Sequence, residues 1–157
     1  MIQKFNNNFK NPKHILAKGI TTSMGVACGH VVFSQEQAIN LTKQGHKVIL
    51  VKDEILPNDV NTLLMSDGII STKGQIVSNA SMMAKTWKKC YMIAPSIILQ
   101  DNHMIVDGRR YPEGTLVSMD GYNGNIYLGH IPMENHLSWN DMYKKELKNK
   151  QKNMSLK

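Results

Sequence analysis

Between Gly29 and Trp87 the apolar residues of this chain change period again and again. GHVVF (residues 29–33) is β-branched and aromatic and predicts a strand at about 29–33, set off by Gly25 and Gly29. SQEQAINLTKQG follows, with Ser34 as N-cap, Gln37 three residues on and Gly45 as the stop, which is a helix opened by a capping box. HKVILVKD is a continuous apolar run of buried-strand length. LPNDVNTLLMSDG places Pro57 near a helix start and Val60, Leu63 and Leu64 at helical spacing, with Gly68 as the end. GIIST is another short apolar strand. From Ser78 a third helix begins, with Ala80, Met83, Ala84 and Trp87 on one face as core filling, joined in that role by Met82. Strand, helix, strand, helix, strand, helix is the order of an α/β protein.

Beyond Trp87 the pattern is different. CYMIAP, SIILQ, HMIVDG, RRY, TLVSMDG and NIYLG are short β runs, separated by DNH, DGRR, PEG and DGYNG, all turn chemistry. Helices gather early and extra strands late, which a three-layer β/β/α arrangement accommodates. Residues 1–17 show no clear period and contain Pro12, so they read as a linker-like approach to a domain over 18–130. Residues 131–157 read as a Lys-rich connector. Within it, 134–152 predict a polar helix whose thin apolar side is Leu137, Met142 and Leu147. There is no internal repeat, no P-loop and no dinucleotide glycine fingerprint.

The net charge of +7 would suggest nucleic acid until it is located. Residues 1–18 carry four Lys and no acid, and residues 130–157 carry six Lys against three acids. The intervening core is balanced, with nine residues of each sign, and no aromatic residues interleave with a basic stripe. Nucleic-acid binding is therefore a minor reading. No apolar run reaches the eighteen or so residues of a membrane span, and the first residues lack the apolar stretch of a signal peptide. The expected compartment is the cytoplasm. Cys28 and Cys90 stand alone in apolar runs, without zinc spacing, and read as two buried thiols. Asp53, Glu54 and Asp59 are too loosely spaced to argue for a metal, and Arg109 and Arg110 read as hairpin decoration.

Several separated stretches carry a resemblance. KGITTSMGVACGHVVF keeps Gly19, Gly25, Ala27 and Gly29; QGHKVILVKDEILPNDV keeps a Pro-x-Asp at Pro57 and Asp59. DGIISTKG, DGRRYPEGTLVSMDGYNGNIYLG and the SWNDMYKKELK tail follow in order. Together they resemble the phosphohistidine (mobile, swivelling) domain of PEP-utilising enzymes, above all that of pyruvate, phosphate dikinases. The resemblance implies a three-layer β/β/α swivelling domain. It also implies partner domains of the ATP-grasp and PEP-binding TIM-barrel types, which hold the family's Mg, ATP and PEP. This chain itself is expected to bind no cofactor and no metal.

The family's signature runs Gly-Gly, any residue, Thr-Ser-His-Ala-Ala, two apolar residues, Ala-Arg. Against it, STKGQIVSNASMMAK matches at Gly74, Ser78, Ala80, Met82, Met83 and Ala84. It departs at Gln75, Val77, Ser81 and Lys85, and has Asn79 where the resemblance places the phosphorylated histidine. Val77 stands at the position of a regulatory threonine. An imidazole nitrogen can be both nucleophile and leaving group near neutral pH, and a helix start stabilises the phosphoryl charge it carries. The amide nitrogen of Asn79 is delocalised into its carbonyl and is no nucleophile. His14, His30, His46, His103, His130 and His136 all lack a glycine-led helix start and read as surface or structural residues.

Three readings follow. The first is a catalytically silent phosphohistidine-like domain, a remnant or a binding module. It keeps a residual anion site at Gly74, Ser78, Asn79 and Ala80, with Lys85 as a point charge. The second is the central fragment of a dikinase-like phosphotransferase that moves phosphoryl groups between ATP and pyruvate or PEP in a larger assembly. The third is a basic-tailed adaptor that docks on a dikinase.

Overall fold

The computed structural model describes residues 3–5, 14–74, 78–131 and 133–135. Its strands are β1 (Gln3–Phe5), β2 (Ile15–Lys18), β3 (Ile20–Ser23), β4 (Val26–Val32), β5 (Val48–Lys52), β6 (Gly68–Ser71), β7 (Cys90–Ile93), β8 (Ile98–Gln100), β9 (His103–Val106), β10 (Arg109–Pro112), β11 (Leu116–Asp120), β12 (Asn125–Leu128) and β13 (Met133–Asn135). The helices are α1 (Gln35–Lys43), α2 (Val60–Met65), entered through a 3₁₀ turn at Pro57–Asp59, and α3 (Asn79–Thr86). This is a mixed α/β fold, mostly sheet with few helices.

Eight strands form one sheet in the order β2-β12-β11-β4-β5-β6-β7-β3. Its centre, β4-β5-β6-β7, is parallel, and each of those pairs is bridged by one of the early helices. The flanking pairs are antiparallel. β8, β9 and β10 make a separate antiparallel sheet, and β1 pairs with β13.

Because successive side chains in a strand point to opposite faces, the parallel strands feed two cores. Val31, Ile49, Val51, Ile70 and Met92 pack with Met104 and Val106 of β9. Their alternates Val32, Val48, Leu50, Ile69 and Tyr91 pack with Ala38, Leu63, Ala80 and Ala84 of the helices. Strands buried on both faces read as continuous apolar runs, which is why VILV shows no alternation. Each fully buried Val, Leu or Ile contributes about 1.5–3 kcal/mol relative to exposure.

Several boundaries differ from expectation. The first parallel strand begins at Val26, and Gly29 lies in its middle. A Cβ at Gly29 would sit 2.8 Å from the Lys47 carbonyl oxygen and 2.9 Å from its carbon, so the glycine permits a close backbone approach rather than breaking the strand. Gly68 opens β6 instead of ending a helix; α2 stops before Ser66. Ser34 caps α1 as expected, its hydroxyl accepting from the Gln37 N–H, and Gly45 follows the helix at φ +86°.

The helical face expected at Ala80, Met83, Ala84 and Trp87 is buried only in part. Ala80 and Ala84 are buried, while Trp87 is 58 % and Met82 60 % exposed. α3 ends at Thr86, so Trp87 occupies the C-cap, off the helical face. The segment expected as a linker contributes β2 at one edge of the large sheet. Where a helix was expected from residue 134, Glu134 and Asn135 belong to β13; the rest of that stretch lies outside the described residues.

Candidate functional site

α3 starts beside the carboxyl ends of β5 and β6, where α/β sheets open their crevices. The approach is fixed by backbone pairing: Thr72 N–H donates to the Lys52 carbonyl and Lys73 N–H to that of Asp53, at 3.0 and 2.9 Å. The Thr72 hydroxyl also donates to the Asp53 carboxylate. Gly74 follows at φ +138°, a conformation that excludes ordinary side chains. Residues 75–77, which include Gln75 and Val77, lie outside the described residues.

Ser78 is the N-cap of α3, in extended conformation, and its hydroxyl accepts from the Ser81 N–H at 3.1 Å. Ser81 answers: its hydroxyl accepts from the Ser78 N–H at 2.9 Å and donates to the Ser78 carbonyl at 3.0 Å. The departure from alanine at Ser81 thus closes a capping box. A polar residue at the third helical position was the signal for it. Met82 N–H donates to the Ser78 carbonyl. The amides of Asn79 and Ala80 make no hydrogen bond among the described residues. They are the open donors that a helix start offers to an anion.

Gly74, Ser78 and Ala80 line one cavity of about 240 Å³, with Glu54, Lys73 and Tyr91. Ser78, Asn79 and Ala80 also border an apolar groove of about 600 Å³, walled by Leu56, Pro57 and Met83. Asn79 itself is exposed at the first helical position. Lys85 lines neither space. It lies in the last turn of α3, six residues or about 9 Å of helical rise beyond Asn79. The cation beside the helix start is Lys73, which sequence reasoning did not single out although it directly precedes Gly74.

Tyr91 closes the floor. Its hydroxyl donates to Ser71 Oγ at 3.0 Å. Burial pushes its pKa up, against the opposing effect of that hydrogen bond, so it stays a neutral donor. Glu54 and Lys73 also border a third cavity of about 480 Å³, opposite Leu99 and His103. Asp59, of the Pro-x-Asp, is buried and structural. It accepts from Lys52 Nζ at 3.0 Å and from the Leu56 N–H at 2.8 Å, fixing the turn into α2. The cavity beside the helix start is lined by one cation, Lys73, and one carboxylate, Glu54, among the described residues. The site offers no nucleophile at position 79.

No described helix is long and apolar enough to cross a membrane. Among solved structures, holo aconitase X of Thermococcus kodakaraensis aligns over 76% of this chain at a TM-score of 0.43 and 13% identity, a likeness too loose to bear on the site. Sequence relatives are far more informative. Pyruvate, phosphate dikinase 1 (chloroplastic) of Arabidopsis thaliana is 34% identical over 139 residues, which are 81% of this chain and 14% of the relative. The chloroplastic dikinase of Mesembryanthemum crystallinum is 30% identical over 88% of this chain and 16% of its own length. The dikinase of Rhizobium meliloti is 33% identical over 77% and 14%. The chain thus spans about a sixth of the length of these relatives or less. The family described as "PEP-utilising enzyme, mobile domain" matches residues 44–124, a stretch that runs from the end of α1 to the turn before β12 and includes the start of α3. By that match and those identities, the chain belongs to the PEP-utilising enzyme mobile-domain family and is pyruvate, phosphate dikinase-like.

Proposed function

We propose that this chain is a phosphohistidine-type swivelling domain that does not carry phosphate, a non-catalytic remnant or binding module of dikinase descent. The observation that carries the reading is Asn79. It occupies the first position of α3, just after the Ser78 cap. That is where the family signature places its histidine. A histidine there would start the same helix, beside the groove bordered by Ser78, Ala80 and Met83; the asparagine has those surroundings and no basic nitrogen lone pair to attack with. The three-layer β/β/α reading is supported by the two cores, one shared with β9 and the other with the helices.

The proposed partners are the ATP-grasp and TIM-barrel domains of a dikinase, the reading supported by relatives several times longer than this chain. The anion site at Gly74, Ser78, Asn79 and Ala80 is proposed to persist, with Lys73 as its cation in preference to Lys85. Intact-mass analysis after incubation with a phosphorylated dikinase tests the proposal. No added phosphate is expected. Acid-labile phosphate on any histidine of this chain would overturn it. Asn79→His then measures what remains of the pocket: transfer to that variant is expected if the nucleophile alone was lost.

A further inference from the structure

The cavity of about 480 Å³ opens where the carboxyl ends of β4, β5 and β6 face the hairpin of β8 and β9. That end of an α/β sheet is where crevices for small molecules form. The floor is apolar. Val51 belongs to the core shared with β9, and Phe33 and Leu99 pack against that core while staying only half-buried. The far wall is a two-residue turn: Asp101 and Asn102 hold φ of +52° and +56°, and Gln100 pairs with His103 across them. His103 Nδ1 donates to the Asp101 carbonyl oxygen at 2.7 Å, which ties the turn to its own strand.

Most of the charge around this space already has a partner. Lys52 Nζ lies 3.0 Å from Asp59, Asp53 accepts from the Thr72 hydroxyl, and Arg110 stands 3.8 Å from Asp101. Two charges do not. The side chains of Glu54 and Lys73 make no hydrogen bond or ion pair among the described residues, not even with each other, although both border the cavity. An anion alone would meet Lys73 together with three carboxylates, those of Asp53, Glu54 and Asp101. A cation alone would meet two ammonium groups, those of Lys52 and Lys73. A molecule with one charge of each sign satisfies both free groups by charge-assisted hydrogen bonds, and the half-buried Phe33 and Leu99 offer its remainder an apolar surface.

We propose that this cavity binds a free α-amino acid with an apolar side chain. Lys73 holds the carboxylate, Glu54 holds the ammonium, and the side chain covers Phe33, Val51 and Leu99. The volume falls within the range of about 300–1,000 Å³ of small-molecule sites. Asn79 does not border this cavity, so the proposal stands whether or not residue 79 carries phosphate.

The test is saturation-transfer NMR titration of the full chain at pH 7 with L-leucine, L-methionine and L-phenylalanine, with D-glucose and inorganic phosphate followed by calorimetry as controls. Saturable binding of at least one of the three amino acids is expected. Its N-acetyl derivative lacks the ammonium and its amide derivative lacks the carboxylate, and each is expected to bind about tenfold more weakly or worse. Glu54→Gln and Lys73→Gln are expected to weaken binding of the unmodified amino acid by a similar factor. Both side chains are exposed, so thermal melts are expected to show the two variants folded like wild type. Absence of binding by all three amino acids would overturn the proposal. So would full affinity in either folded variant, equal binding of a blocked derivative, or tighter binding of glucose or phosphate than of any amino acid.

Discussion

Ser78 and Ser81 cap one another at the start of α3, each backbone N–H donating to the other's hydroxyl, at 2.9 and 3.1 Å. Ser81→Ala should cost about 1 kcal/mol, because it removes a partner of the Ser78 N–H. Ser78→Ala should cost a similar amount, and the double variant less than the sum, since both changes break one reciprocal unit. Urea unfolding of the four proteins measures this. Strict additivity would mean that the two bonds act independently.

Asp59→Ala should be more damaging. The carboxylate accepts from both Lys52 and the Leu56 N–H, and its loss strands a half-buried ammonium and a backbone donor. About 1–3 kcal/mol is expected, or roughly 2–4 °C in Tm for each kcal/mol in a chain of this size. Asp59→Asn keeps an acceptor and should fall between the two. Thermal melts at one pH rank the three proteins.

Gly29→Ala tests the close approach of β4 to the segment leading into β5. The added Cβ meets the backbone of Lys47, which cannot swing aside as a side chain could. A loss of about 1–3 kcal/mol is expected. Gly108→Ala, where a Cβ would meet nothing within 4 Å, isolates the cost of the left-handed φ of +77° from that of crowding. Denaturant midpoints of the two variants separate these effects.

Stability should fall in alkali through Cys90. Its thiol ionises near 9.0 in an unfolded chain and at about 12 in the fold. Below pH 9 both states hold the proton and the contribution is complete. Between those values the unfolded state holds fewer protons, so rising pH favours unfolding, by at most about 1.4 kcal/mol per pH unit. Tyr91 shifts the same way and adds to the slope above pH 10. Cys90→Ala should flatten the profile between pH 9 and 12 while lowering stability overall by its cavity. Unfolding curves across that range provide the check.

The parallel centre of the fold was legible because strands covered on both faces must be apolar at every position, as in VILV. The helix starts were legible for a similar reason, since Ser34 and Ser78 satisfy donors that helices leave open. Less was readable at the edges. ILAK and ITTS are four-residue strands, too short to show a period, and the latter carries a register shift against β7. Trp87 looked like core because its spacing is helical, but the helix ends one residue earlier. Of the residues singled out around the third helix start, Gly74, Ser78 and Ala80 line one cavity, while Asn79 borders the neighbouring groove with Ser78 and Ala80. The choice between Lys73 and Lys85 needed three dimensions, because a lysine on the strand side of a helix start can be nearer to it than one along the helix.

The antiparallel pairing of β4 with β11 joins Cys28 to Ser118 across ninety residues of chain. Folding therefore cannot finish from the amino end forward, because the inner strand β4 keeps one hydrogen-bonding edge open until β11 has been made. Such a long loop closure slows folding, and an unpaired inner strand is a template for joining another chain. During synthesis, the interval between release of Val32 and release of Asp120 is when this protein is most exposed to misassembly.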